Sequence, residues 1–120
     1  MRTRSQEYAA KIFEQVKNVS EEERQKYGSL AHRLPVLVRT AGLAQALAFV
    51  EARGGAAGKK LLAHLAEVIR EDELLRQSRE AQLEEYMYLT RKVLTALTWY
   101  KRFAQSVLGV EATADKEVGE

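Results

Sequence analysis

Between Glu85 and Glu111 every charged residue is positive: Arg91, Lys92, Lys101 and Arg102. A helix turns about 100° per residue, so Arg91 and Arg102 fall nearly on one line, about three turns apart. Lys92 and Trp99 are also close in angle, and Trp99 precedes Arg102 by about one turn. Together they form an axial ridge of cations with an aromatic ring beside it. Phosphates spaced along a polyanion suit such a ridge, and an aromatic face can stack on a base. A plainer reading stands beside this one. Cations in the second half of a helix complement the negative end of its dipole. They also pair with carboxylates of neighbouring helices, and a tryptophan at that spacing serves a core or a subunit contact.

Two further sets of cations are candidates. Lys59 and Lys60 lie near an expected helix N-terminus and form a second basic patch. Arg39 lies inside the most apolar stretch, where a buried guanidinium needs a partner.

Little else in the chain carries chemistry. His32 and His64 stand alone, without metal-ligand spacing, and read as surface or helix-terminus residues. There are no cysteines, which excludes disulfides, thiolate metal sites and cysteine nucleophiles and makes a cytoplasmic setting the default. The stretch Gly54–Lys60, GGAAGKK, superficially resembles a phosphate-binding loop but fails that motif. Arg53 stands where its first glycine belongs, Lys60 stands where Ser or Thr belongs, and no strand precedes it. It reads as a helix end followed by a basic helix start. No nucleophile elbow, dinucleotide fingerprint or metal-binding helix motif is present. The expectation is therefore no catalytic residue, no metal, no cofactor and no small-molecule substrate.

These candidates need elements to position them. A chain of 120 residues is one domain and buries about two thirds of its unfolded surface. Its composition, rich in Ala, Leu, Glu, Arg and Lys with one Pro, favours helix over sheet. The apolar run from Leu34 to Val50 is too short to span a membrane and contains Arg39 and Gln45. The N-terminus lacks the apolar core of a secretory signal.

Apolar spacing predicts six helical pieces. The first runs from near Thr3 to near Asn18, with Tyr8, Ile12, Val16 and Val19 inward and Ala9 and Phe13 widening the stripe. Ser20 and Glu23 have the spacing of a capping box for a second helix, Glu21 to His32 or Arg33. In it Gly28 marks either a tight helix crossing or a tolerated surface position. Pro35 should stop or kink that helix and begin a short one to about Thr40. Helices follow at Leu43–Arg53 and about Ala57–Arg70. The charged connector EDELLRQSRE holds at most a short turn at Leu74 and Leu75. Ser78 then caps the longest helix, Arg79 to about Leu108, which carries two apolar stripes and should be wrapped by neighbours. The fold class is all-α: a compact single-domain bundle of about five to six helices, short in the centre, with a long C-terminal helix. Residues 1–108 form the domain, and the small, polar, acidic stretch 109–120 reads as a flexible tail.

Three blocks carry a resemblance: RSQEYAAKIFEQV (Arg4–Val16); KYGSL with Pro35 and GLAQALAFV (Lys26–Val50); and LTALTWYKRFAQSVLG (Leu94–Gly109). In this order they resemble the small all-helical subunit, subunit five, of the type III-B CRISPR effector, the Cmr complex. Lys59–Glu80 carries no part of the resemblance. What it implies is a non-catalytic bundle, with target cutting left to the backbone subunits. Copies would stack along the filament that holds the guide RNA and help hold the guide–target duplex in antiviral defence. The implied partners are other effector subunits, copies of itself, guide RNA and target RNA, with no membrane. Lys101 and Arg102 match the family's basic pair, and Arg4, Glu7 and Tyr8 its N-terminal block. The pair Arg91 and Lys92 is more basic than the family pattern. The alternative is a helical protein–protein adaptor without nucleic-acid contact, whose basic ridge meets an acidic protein.

Overall fold

A computed structural model describes residues 1–112. The chain order is α1 (Arg4–Lys17), α2 (Glu21–Ala41), α3 (Leu43–Arg53), α4 (Gly55–Ile69), α5 (Leu74–Glu80) and α6 (Leu83–Ser106). The long α2 and α6 pack on each other most extensively, with α1 against α6 and α3 and α4 against α2. The all-α bundle expected from the apolar spacing is the observed architecture.

Helix α1 begins with a cap on Thr3, whose hydroxyl accepts from the Gln6 backbone N–H at 3.0 Å while the Gln6 side chain returns a bond to the Thr3 N–H at 2.8 Å. This reciprocal pair satisfies two donors that a helix start otherwise leaves open. The expected box at Ser20 does not form: Ser20 has extended geometry but makes no side-chain cap bond. The Glu23 carboxylate turns instead to Lys60, 3.7 Å away. Tyr8, Ile12, Val16 and Val19 are all buried as their spacing predicts.

Pro35 corrects the second expectation. It neither stops α2 nor starts a new helix, but lies buried within one continuous helix from Glu21 to Ala41. An internal proline costs about 3 kcal/mol. Burial of Leu34 and Val38 on either side offsets it, because a break there would take both out of the core. His32 and Arg33 consequently lie mid-helix, and the guanidinium of Arg33 covers the Phe49 ring at 4.8 Å. The chain turns only at Gly42, where φ is 91°, a conformation that L side chains rarely adopt. Tyr86 holds the new start, its hydroxyl accepting from the Ala44 N–H at 3.1 Å.

No linker separates α3 from α4. A Cβ on Gly54 would lie 2.6 Å from the Val50 carbonyl oxygen and 2.7 Å from the Gly58 Cα. The glycines of GGAAGKK thus let two helices meet at a corner.

The connector before the last helix is itself α5. Ser78 is buried inside it, donating to the Leu75 carbonyl at 2.7 Å, and Gln82 occupies the start of α6 instead. Helix α6 is shorter than expected and is wrapped mainly over its later turns. Leu89, Val93, Ala96, Leu97, Tyr100 and Ala104 are buried, whereas Leu83 and Met87 are exposed.

The packed body continues past residue 108. Val110 is buried, its N–H donates to the Ala104 carbonyl at 2.9 Å, and its carbonyl lies 2.7 Å from His32 Nε2. Gly28 is where this segment closes, since a Cβ there would lie 2.6 Å from the Val110 side chain. The close approach at Gly28 is therefore to the segment after α6 and not to a crossing helix. The rest of the expected tail, 113–120, lies outside the described residues.

Both histidines depart from the surface role read from sequence. His32 is buried against Val110. His64 is half-buried, its Nδ1 2.7 Å from the Tyr27 hydroxyl. Burial holds the Tyr27 pKa far above its ordinary value, so the hydroxyl keeps its proton.

Candidate functional site

The outer face of α6 is set by what its inner face buries. Tyr100 and Ala104 are fully buried, and the Tyr100 hydroxyl donates to Gln15 Oε1 on α1 at 2.5 Å. With that rotation fixed, Lys101 and Arg102 point outward and are exposed. On α2, buried Pro35 and Val38 likewise turn Arg39 out to solvent.

The three cations share one open depression of about 450 Å³ between α2 and α6, whose remaining lining is Pro35, Thr98 and Gln105. Arg39 is thus not the buried guanidinium expected inside the apolar stretch. It is solvent-facing because its helix runs straight through Pro35. The ion pairs among the described residues join Lys17 to Glu14, Lys60 to Glu23, Arg76 to Glu73 and Glu80, and Lys92 to Glu71. None involves Arg39, Arg91, Lys101 or Arg102. No carboxylate lines the depression; Gln105 on its wall donates from Nε2 to Glu111 at 3.3 Å. The dipole explanation also weakens. Lys101 and Arg102 precede the last turn of α6, and the dipole's influence falls off within that turn.

The other candidates separate. Arg91 is exposed and continues the line of Arg102 toward the start of α6. Lys92 does not join it. Its side chain is buried, its Nζ is 2.6 Å from Glu71 Oε2, and it covers the Tyr88 ring at 4.8 Å. Burial raises the Glu71 pKa, but hydrogen bonds from Lys92 and Gln77 outweigh it and hold the carboxyl below its ordinary value. Lys92 is spent on that pair because it lies about 100° around the helix from Arg91, on the side that faces the α4–α5 connection.

Trp99 is no free platform for a base. It is half-buried, its Nε1 donates to Ser5 Oγ at 2.9 Å, and its ring stacks on Phe103 at 5.6 Å. The Arg102 guanidinium lies 5.9 Å from its centroid, so Trp99 helps steer that cation. The Lys59 and Lys60 patch dissolves. Lys60 pairs with Glu23, and Lys59 shares a separate depression with Glu51, Asp72 and Glu73.

Sequence reasoning missed Pro35, Thr98 and Gln105 as members of the depression. Thr98 and Gln105 sit three before and four after Lys101, a helical spacing that could have found them. Nothing local marked Pro35. Among the described residues no cluster of three or more His, Cys, Asp or Glu could hold a metal ion, and no helix is long and apolar enough to cross a membrane.

Comparison with known proteins bears on this arrangement. A family described as CRISPR-associated protein (Cas_Cmr5) matches residues 4–107. The CRISPR system Cmr subunit Cmr5 of Thermus thermophilus is 50% identical over 112 residues, covering 90% of this chain and 98% of that protein. A crystal structure of a CRISPR-associated Cmr5 family protein from the same organism superposes with a TM-score of 0.79 at 48% identity, over 89% of this chain and 98% of that one.

Proposed function

This chain belongs to the CRISPR-associated Cmr5 family, and we propose that it acts as a non-catalytic structural subunit of a type III-B CRISPR ribonucleoprotein. It stacks in copies along the guide-RNA filament and helps hold the guide–target RNA through contacts to the phosphate backbone. The observation that carries the RNA contact is the convergence of Arg39, Lys101 and Arg102 on one open depression without a carboxylate partner among the described residues. Such a surface grips phosphates without reading bases, which suits a complex whose specificity comes from base pairing to a guide. Many weak contacts along a filament add up, so a single subunit needs little affinity of its own.

The test is filter binding of target RNA by the assembled complex across a salt series. Neutralising Lys101→Gln and Arg102→Gln together should lower affinity and flatten the plot of log affinity against log salt by about one to two counterions per bound subunit. An unchanged slope removes these residues from the RNA surface.

A second reading, the helical adaptor that touches only proteins, is favoured by the exposed apolar residues at the start of α6. Leu83 is 71% exposed and Met87, one turn on, is 50% exposed. Under that reading Leu83→Ser/Met87→Ser releases the subunit from the complex, while the salt slope for RNA is indifferent to Lys101 and Arg102.

A further inference from the structure

A cleft of about 530 Å³ opens where the start of α1, the end of α4 and the first half of α6 meet. Five cationic side chains line it, Arg2, Arg4, Lys11, Arg70 and Lys92, against a single carboxylate, Glu7. The charge of Lys92 is already matched by Glu71. The other four are in no ion pair among the described residues. Like charges around a concave surface repel one another and concentrate anions within it.

Two features sharpen the chemistry. Arg70 caps α4 in the left-handed conformation, with φ 61°, the one non-glycine residue with positive φ among the described residues. That position ordinarily favours glycine or asparagine; here it delivers a guanidinium to the cleft. Tyr8 adds a neutral donor. Burial raises its pKa even though Arg4 and Lys92 pull the other way, so its hydroxyl stays protonated. The Tyr88 ring is engaged by cations, with Arg4 5.8 Å and Lys92 4.8 Å from its centroid, and Arg4 Nη2 donates to its hydroxyl at 3.4 Å. An aromatic ring held in this way is poorly placed to stack on a base. The cleft therefore suits a compact, multiply charged oxyanion, for which forked guanidinium donors are well matched.

We propose that this cleft is a phosphoryl-anion site in which Arg4, Lys11 and Arg70 bind the oxygens of a phosphate or pyrophosphate group, above the buried charge of Lys92. The phosphate of a free nucleotide and that of an RNA strand share this chemistry. The site is separate from the Arg39, Lys101 and Arg102 depression and stands or falls independently of the RNA role proposed for that surface.

Calorimetric titration of the full chain at low salt tests it, with sodium pyrophosphate, ADP, a short single-stranded RNA and a glutamate-rich peptide as separate probes. Pyrophosphate and ADP should bind, and the double variant Lys11→Gln/Arg70→Gln should weaken both about tenfold. Arg70→Lys keeps a cation at the same backbone position but loses the forked donor, so it should weaken both by about threefold, less than the double variant does. RNA binding that also falls in Lys11→Gln/Arg70→Gln assigns the phosphate to a strand; RNA binding that does not fall assigns it to a free nucleotide. The proposal is overturned if pyrophosphate does not bind, if its binding survives Lys11→Gln/Arg70→Gln, or if only the acidic peptide binds.

Discussion

Substituting Gly28 by alanine sets two terms of opposite sign against each other. In a helix interior alanine is favoured over glycine by about 1 kcal/mol. On an open face Gly28→Ala would therefore stabilise the protein. Here the new Cβ would lie 2.6 Å from Val110 Cβ and Cγ2 and 2.9 Å from Cγ1. Val110 cannot simply step aside, because its N–H is held by Ala104 and its carbonyl by His32. Displacing it exposes a buried valine, which costs about 1.5 to 2 kcal/mol. It also removes a partner from His32, whose Nδ1 already lacks one, at a further cost of about 1 to 3 kcal/mol. The net expectation is destabilisation by about 2 kcal/mol, or a Tm lower by about 8 °C for a domain of this size. Urea denaturation followed by circular dichroism reads it directly. In a Val110→Gly background the obstacle is gone, and the same substitution should change sign and stabilise by about 1 kcal/mol. A stabilising Gly28→Ala in the otherwise unchanged protein would refute the docking of Val110 against α2.

Other expectations follow from the same geometry. Lys92→Met should destabilise by about 2 kcal/mol, because it strips Glu71 of its cation in a mostly buried setting; a Lys92→Met/Glu71→Gln double-mutant cycle in urea that shows no coupling would sink this pairing. Since the Glu71 pKa is depressed in the folded state, that contribution is present above its unfolded value and is lost as pH falls through the folded one. His64 is held below its ordinary pKa, mainly by burial with Lys60 adding to it. The unfolded chain therefore binds the proton more readily, so stability should decline as pH drops below about 6.5. His64→Gln should flatten the change in stability between about pH 7 and pH 5, and an unaltered profile would show that the imidazole does not contribute. Gly54→Ala should lower stability by more than about 2 kcal/mol, since its Cβ would meet backbone atoms of α3 and α4 that cannot rotate away; a thermal melt within about 2 °C of the parent would contradict the tight corner.

Local periodicity made much of the fold legible. Tyr8, Ile12, Val16 and Val19 could be assigned to one face because side chains three and four apart meet on a helix whatever surrounds it. Leu43, Leu47 and Val50 follow the same rule, as do Leu61, Leu65 and Val68. Boundaries were less legible, because they turn on competition between local and distant terms. Ser20 and Glu23 have the spacing of a capping box, yet Glu23 finds Lys60 from another helix. Pro35 should break a helix in isolation, yet the core on both sides of it holds α2 together.

What the amino-acid sequence determined by itself was an all-helical chain with only cations between Glu85 and Glu111, because composition, helical period and sign of charge are properties of the chain. Which cations remain free was decided only by tertiary structure. Arg91 and Lys92 are neighbours in sequence, yet one faces solvent and the other is consumed by Glu71, twenty-one residues away. Arg39 joins Lys101 and Arg102 only because α2 runs unbroken through Pro35 and lies against α6. A charge acts through its distance to other charges and to water, and those distances exist only once the helices have packed.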